Sequence, residues 1–288
     1  MALTEIVTLI CSGLLAGILA GFLGIGGGVI LVPILVSLGY EPIQAVATSS
    51  LSIFITALSG SIQNWRMGYL KFNQVLGIGF PALITAQIGA YLANKFSPQY
   101  LLTAFGGLLL LNVYLIELKK QVTHQQSIRE RKRQDLNQSR LKSDSEDSES
   151  HSETLDPVTP FSAHPVLSRS LTGGIAGFLA GFFGVGGGVI MVPLQILLLN
   201  ETIKMAIQTS LGVIVITAIS ACLGHARLGN VMVLPGVLLG LGGLVGAQLS
   251  TRFLPKLSDR VISFSFRILL IALATYIFWQ AIHYGMGT

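Results

Sequence analysis

Residues 6–40 contain no Asp, Glu, Lys, Arg or His. As one helix rising 1.5 Å per residue they would measure about 52 Å, against a bilayer hydrocarbon core of roughly 30 Å. A stretch this apolar does not belong in water, and one this long does not cross a membrane once as a straight helix. It has to break, and Gly-Ile-Gly-Gly-Gly at residues 24–28 is the place where the backbone is free to leave the helix. A chain that breaks there and doubles back returns to the side from which it entered.

Further uncharged runs follow at residues 42–65, 72–94 and 96–116, and again at 170–200, 205–224, 228–251 and 268–282. About 20 apolar residues span a bilayer as a helix, so these runs predict an all-α polytopic membrane protein with eight to ten membrane segments, depending on how the glycine-broken hairpins are scored. Only 11% of the 288 residues are charged, against about 25% in soluble domains. The first five residues carry no basic segment and no small-residue cleavage site, so the first helix is expected to be retained. The formal net charge of +5 lies at helix ends and in one polar segment, which suits membrane orientation and excludes nucleic acid as a partner. Cys11 and Cys222 fall in apolar runs without paired spacing; they are expected as small core residues, with no disulfide, metal or cofactor.

Residues 13–33 and 173–193 match at a constant offset of 160, with 15 of 21 positions identical. After one inserted residue the offset is 161, pairing Ala45 with Ala206, Thr48-Ser49 with Thr209-Ser210, Thr56 with Thr217, Arg66 with Arg227 and Gln87 with Gln248. The chain is therefore a duplication, with one transmembrane repeat in residues 1–118 and the other in 169–288. Residues 119–168 divide them, basic at first (Arg129, Arg131, Lys132, Arg133) and then acidic (Asp144, Glu146, Asp147, Glu149). Without apolar periodicity, this stretch is expected to be a disordered linker.

A returning hairpin followed by three crossings gives each repeat an odd number of crossings, so the two repeats face opposite ways. Cation distribution tests this parity. With a cytoplasmic linker, 16 of the 18 Lys and Arg fall inside, and only Lys95 and Arg227 outside. The expected arrangement is two inverted repeats in the cell inner membrane, linker cytoplasmic and both termini outside.

Inverted repeats with matching broken helices point to a secondary transporter, whose site lies where half-helices meet. Gly26, Gly27, Gly28 and Gly186, Gly187, Gly188 would each open a half-helix whose free N–H groups attract an anion. Thr48 and Ser49, with Thr209 and Ser210, carry hydroxyls suited either to an oxyanion or to helix capping. Gln87 and Gln248 recur in apolar surroundings, as interhelical links or ligand contacts. Asn64 and Arg66, aligned with His225 and Arg227, are candidates for the two pathway entrances. By contrast, Gly13, Gly17 and Gly21, spaced by four, read as helix packing. All 13 Asp and Glu residues lie at helix ends, in loops or in the linker, whereas cation and proton pumps rely on intramembrane acids. Dinucleotide fingerprints, phosphate loops and metal-binding His pairs are missing, which excludes the common enzyme classes.

The string running from Ala16-Gly to Val-Pro33, its second copy, Ala45-x-x-Thr-Ser49 and Trp65-Arg-x-Gly68 resemble the sulfite exporter TauE/SafE family of membrane permeases over both repeats. The resemblance implies transport of sulfite, a sulfonate or a related small anion. Partners on this reading are the anion, the lipid bilayer and, in a homo-oligomer, further copies of the chain. Two other functions remain as alternatives: an anion channel, which would share the glycines and arginines, and a non-transporting scaffold acting through the linker, against which the duplicated intramembrane polar residues argue.

Overall fold

The computed structural model describes residues 3–97, 99–111, 114, 165–199 and 201–286. Residues 119–164 of the expected linker lie outside the described residues. The first repeat holds α1 (Leu3–Leu23), α2 (Gly28–Ser37), α3 (Pro42–Arg66), α4 (Phe72–Ala93) and α5 (Gln99–Leu111). The second holds α6 (Pro165–Phe183), α7 (Gly188–Leu198), α8 (Ile203–Arg227), α9 (Val233–Phe253) and α10 (Asp259–Met286), with a 3-10 turn at Leu254–Lys256. Helix α6 begins at Pro165, within the segment expected as linker, where proline suits a first helical position. Among the described residues there is no strand, and seven helices (α1, α3, α4, α6, α8, α9 and α10) are long and apolar enough to cross a membrane. The chain is an all-helical, multi-pass membrane protein.

The break expected in the long apolar run occurs where the glycines stand. Helix α1, with 21 residues, reaches about 31 Å, whereas α2, with 10, reaches only about 15 Å. The hairpin closes on itself, because Tyr40, just after α2, donates a hydrogen bond at 3.4 Å to Glu5 at the start of α1. Burial, and then the neighbouring Glu5 carboxylate, push the Tyr40 phenol up from its ordinary range, so it stays a donor.

The repeats exchange helices. Gly13, Gly17 and Gly21 of α1 lie on Leu239, Gly243 and Ser250 of α9, so closely that an added Cβ would strike them. These contacts advance together along both helices, so α1 and α9 run in the same direction. In the second copy Gly173, Gly177 and Gly181 of α6 meet Ile78, Ala82 and Ala86 of α4 with the same sense. Missing side chains let backbones approach, the usual basis of tight helix packing in lipid.

Helix α3 completes one bundle. It runs along α9, with Ile55 on Gly240 and Ser59 donating to Leu244 O at 2.9 Å. Helix α8 completes the other on α4, with Ile216 on Gly79 and Ser220 donating to Leu83 O at 2.6 Å. Two bundles result, α1–α3–α9 and α6–α8–α4, each built from both repeats and meeting where α3 crosses α8.

The ends are tied in matching fashion. Asn230, after α8, donates to Asn94, after α4, at 3.0 Å. At the opposite end, Gln74 donates to Glu201 at 2.8 Å, and Lys204 reaches Pro255 O at 3.2 Å and Asp259 at 3.7 Å.

Candidate functional site

Two glycine loops, residues 24–28 and 184–188, meet at the middle of the molecule, and all of their residues are buried. Gly26 and Gly27 take φ of 76° and 81°, and Gly186 and Gly187 take 78° and 76°. A residue with a Cβ would lose about 1–2 kcal/mol in this left-handed region. Gly27 and Gly187 are the N-caps of α2 and α7 and offer no side chain to the first N–H groups. Each short helix therefore begins inside the protein with uncapped donors and a partial positive charge.

The loops touch backbone to backbone. A Cβ on Gly28 would stand 2.6 Å from Gly184 O and 2.7 Å from Val185 Cα, while one on Gly188 would strike Gly24 O and lie 2.9 Å from Ile25 Cα. Ile53 of α3 and Ile214 of α8 flank Gly26 and Gly186 alike, their Cγ2 atoms 2.9–3.2 Å from either added Cβ. The centre is closed in this conformation.

The serines of the Thr-Ser pairs hold it closed. Ser49 donates to Gly184 O at 2.7 Å, sharing the proton with Val46 O at 2.8 Å; its counterpart Ser210 donates to Gly24 O at 2.9 Å and to Ile207 O at 2.8 Å. Each serine reaches from one repeat to the loop of the other. Thr217 adds a bond to Gly186 O at 3.1 Å. Thr48 accepts from the Met232 N–H at 3.1 Å, whereas the buried Thr209 hydroxyl has no partner among the described residues. Capping is not their role. Helix α3 begins at Pro42, more than a turn before Thr48, and the cap of α8 is Thr202.

Gln87 is an interhelical link, its amide donating to Ser220 O at 2.6 Å. Gln248 occupies the equivalent place on α9, half-buried. The four entrance candidates separate. Arg66 and Arg227 are exposed at the ends of α3 and α8, but Asn64 and His225 are 0% exposed. Both point into the packing rather than into an open mouth, since they lie two residues back from the arginines and helical spacing turns them inward. His225 Nε2 stands 2.9 Å from Gly181 O on α6. The structure thus brings the glycines, Ser49 and Ser210 together and leaves Gln87, Gln248 and the arginines peripheral.

Ser59, Ser220 and Thr217 were not singled out from sequence, although Ser59 pairs with Ser220, and Thr56 with Thr217, at the repeat offset of 161. That duplicated polarity was the available signal. Cys11 is exposed and Cys222 half-buried, so neither is the small core residue expected from sequence. An apolar chain in lipid has an apolar exterior, so hydrophobic surroundings in sequence do not imply burial.

The described acids Glu5, Glu41, Glu201 and Asp259 all lie at or beside helix ends, none buried. Among the described residues no group of three His, Cys, Asp or Glu could hold a metal ion. Uncapped N–H groups and hydroxyls are chemistry suited to an anion.

The chain is similar to known proteins. The family model for the sulfite exporter TauE/SafE matches residues 9–277. The chain is 26% identical over 290 residues to the probable membrane transporter protein YunE of Bacillus subtilis (strain 168), covering 96% of this chain and 98% of the relative. It is 28% identical over 248 residues to the probable membrane transporter protein YdhB of the same organism, covering 84% and 89%. Over 86 residues it is 30% identical to the sulfite exporter TauE/SafE family protein 5 of Arabidopsis thaliana, covering 30% of this chain and 19% of that one. No solved structure matches. The family match spans both glycine loops and both halves of the molecule, and the chain belongs to the sulfite exporter TauE/SafE family, membrane transporters rather than enzymes.

Proposed function

We propose that the chain carries a small sulfur-containing anion, sulfite or an organosulfonate, across the inner membrane by alternating access, with the anion bound between the glycine loops. The observation that carries this reading is the pair of buried, uncapped half-helix N-termini that meet in a centre with no carboxylate among the described residues. Gly26–Gly28 and Gly186–Gly188 would supply N–H donors, and Ser49, Ser210, Thr48 and Thr209 hydroxyls. Oriented donors of this kind select an anion over a cation.

The register of helix contacts supports inverted repeats. Helices α1 and α9 run alike, as do α3 and α9 and also α4 and α6, and the short turn at residues 67–71 reverses α3 into α4. Helix α1 then runs opposite to its copy α6. The ties Asn94–Asn230 and Gln74–Glu201 fall on opposite faces of that arrangement, and the distribution of Lys and Arg favours a cytoplasmic linker with external termini.

Rocking one whole repeat against the other would tear α1 from α9 and α4 from α6, where backbones interlock. The moving bodies are instead the two exchanged bundles, which slide at the α3–α8 crossing and there break the Ser49–Gly184 and Ser210–Gly24 bonds in turn. A closed centre favours such a carrier over a channel. The test is uptake of radiolabelled sulfite, sulfate, thiosulfate and sulfoacetate into proteoliposomes. Saturable flux of a sulfur oxyanion is expected; flux linear in concentration would make the protein a channel, and no flux with correct insertion would remove the transport reading.

A further inference from the structure

The two repeats place different chemistry at one matched position. Asn64 on α3 and His225 on α8 correspond at the offset of 161, and both are 0% exposed. Neither atom of the Asn64 amide has a partner among the described residues, and neither does His225 Nδ1. His225 Nε2 faces the Gly181 carbonyl at 2.9 Å. A carbonyl can only accept, so Nε2 carries the hydrogen and Nδ1 is left as a buried, bare acceptor. Gly181 stands three residues before the glycine loop, so the imidazole is fixed to the helix end that carries the site.

Resting on the transport reading above, we propose that His225 is a proton-sensitive gate on the Arg227 side, and Asn64 its uncharged counterpart on the Arg66 side. In the closed form a second proton would put a charge and an unsatisfied N–H on Nδ1, a buried atom with no acceptor among the described residues. Protonation therefore favours a form in which the end of α8 shifts against α6, so that Nδ1 reaches water or the arriving anion. There the imidazolium also lends the anion a positive partner. Acid opens the gate on this side, whereas the amide of Asn64 makes the other gate indifferent to pH.

The surrounding charges leave His225 as the titrating group. Its own helix contributes Arg227, exposed, and the half-buried Cys222. Lys95 follows α4 over the Tyr91 ring, and Glu41 precedes α3; all three are exposed. Helix α6 carries only Arg169, at its other end, and α7 carries no charge. Helices α1 and α10 meet α8 at its opposite half, through Gly24 and Asp259.

The test is flux of a permanently ionised sulfonate, so that the substrate itself does not titrate, in proteoliposomes set between about pH 8 and about pH 5.5. Wild-type flux is expected to rise about fivefold or more on acidification, and His225→Asn to become flat. Asn64→His placed in the His225→Asn background should bring a pH dependence back, a result that general damage to the fold does not produce. His225→Gln gives the same readout should the Asn variant fail to insert. An unchanged pH dependence in His225→Asn, or pH-independent wild-type flux, would overturn the gate while leaving the carrier intact. No flux at any pH would overturn the transport reading and the gate together.

Discussion

The seam between α1 and α9 and the crossing of α3 with α8 are both buried contacts between the two repeats, yet they are built from different material. Along the first, Gly13, Gly17 and Gly21 bring backbone against backbone, with Ser250 donating to Gly17 O at 3.3 Å. At the second, Ile53 and Ile214 lie against the glycine loops, and Ser49 and Ser210 supply one cross-repeat hydrogen bond each. Along α1 and α9 the backbones interlock over the whole seam and are lost all at once, whereas at the crossing backbone meets backbone only at the two glycine loops, and the rest is side-chain contact with a few hydroxyl bonds of about 1 kcal/mol each, which exchange readily. On the proposed carrier mechanism, the first seam holds a bundle together and the second is where the two bundles part.

Substitutions separate the two. Gly17→Leu should have the largest effect, because its side chain would enter the Gly243 backbone; a loss of about 2 kcal/mol or more is expected, read as a much lower melting temperature in detergent. Gly27→Leu and Gly187→Leu force leucine into φ of 81° and 76° at the caps of α2 and α7. Flux is expected to be abolished while membrane insertion persists, checked by uptake beside a monodispersity profile. Ser49→Ala and Ser210→Ala should each weaken the closed crossing by about 1 kcal/mol, about fivefold in the closed-to-open ratio. Hydrogen exchange at the glycine loops measures it, and each variant should exchange faster. The smallest effect belongs to Arg66→Ala and Arg227→Ala, which should slow uptake at low salt and much less above physiological ionic strength, where screening acts within about 8 Å.

Much of this was legible in the sequence. A run of residues 6–40 with glycines in its middle had to be a broken hairpin, because helix rise and bilayer thickness leave no other solution. The triple glycines and the Thr-Ser pairs announced themselves by recurring at nearly constant offset. What the serines bond was hidden, since Ser49 and Gly184 are 135 residues apart and pairings at that distance are set by how the bundles assemble. Reading each repeat by itself also concealed the exchange of α1 and α6 between bundles. Asn64 and His225 were misplaced at an open entrance for a local reason: they sit two residues from exposed arginines, and only the helix phase, fixed by its neighbours, turns them inward.

The division into fixed and moving seams is tested most directly at Gly60. Its added Cβ would lie 3.7 Å from Ala247 Cβ, within the α1–α3–α9 bundle, and 3.4 Å from Leu211 Cδ1, across the crossing. In a background with Cys11 and Cys222 replaced, Gly60→Cys is paired either with Ala247→Cys, at a separation suited to a disulfide formed by an added oxidant, or with Leu211→Cys, joined by a short bifunctional thiol-reactive reagent. Flux is then followed before and after cross-linking. Loss of transport on joining 60 to 211, with transport retained on joining 60 to 247, is the predicted result. Transport that survives the first bridge and stops with the second would contradict it.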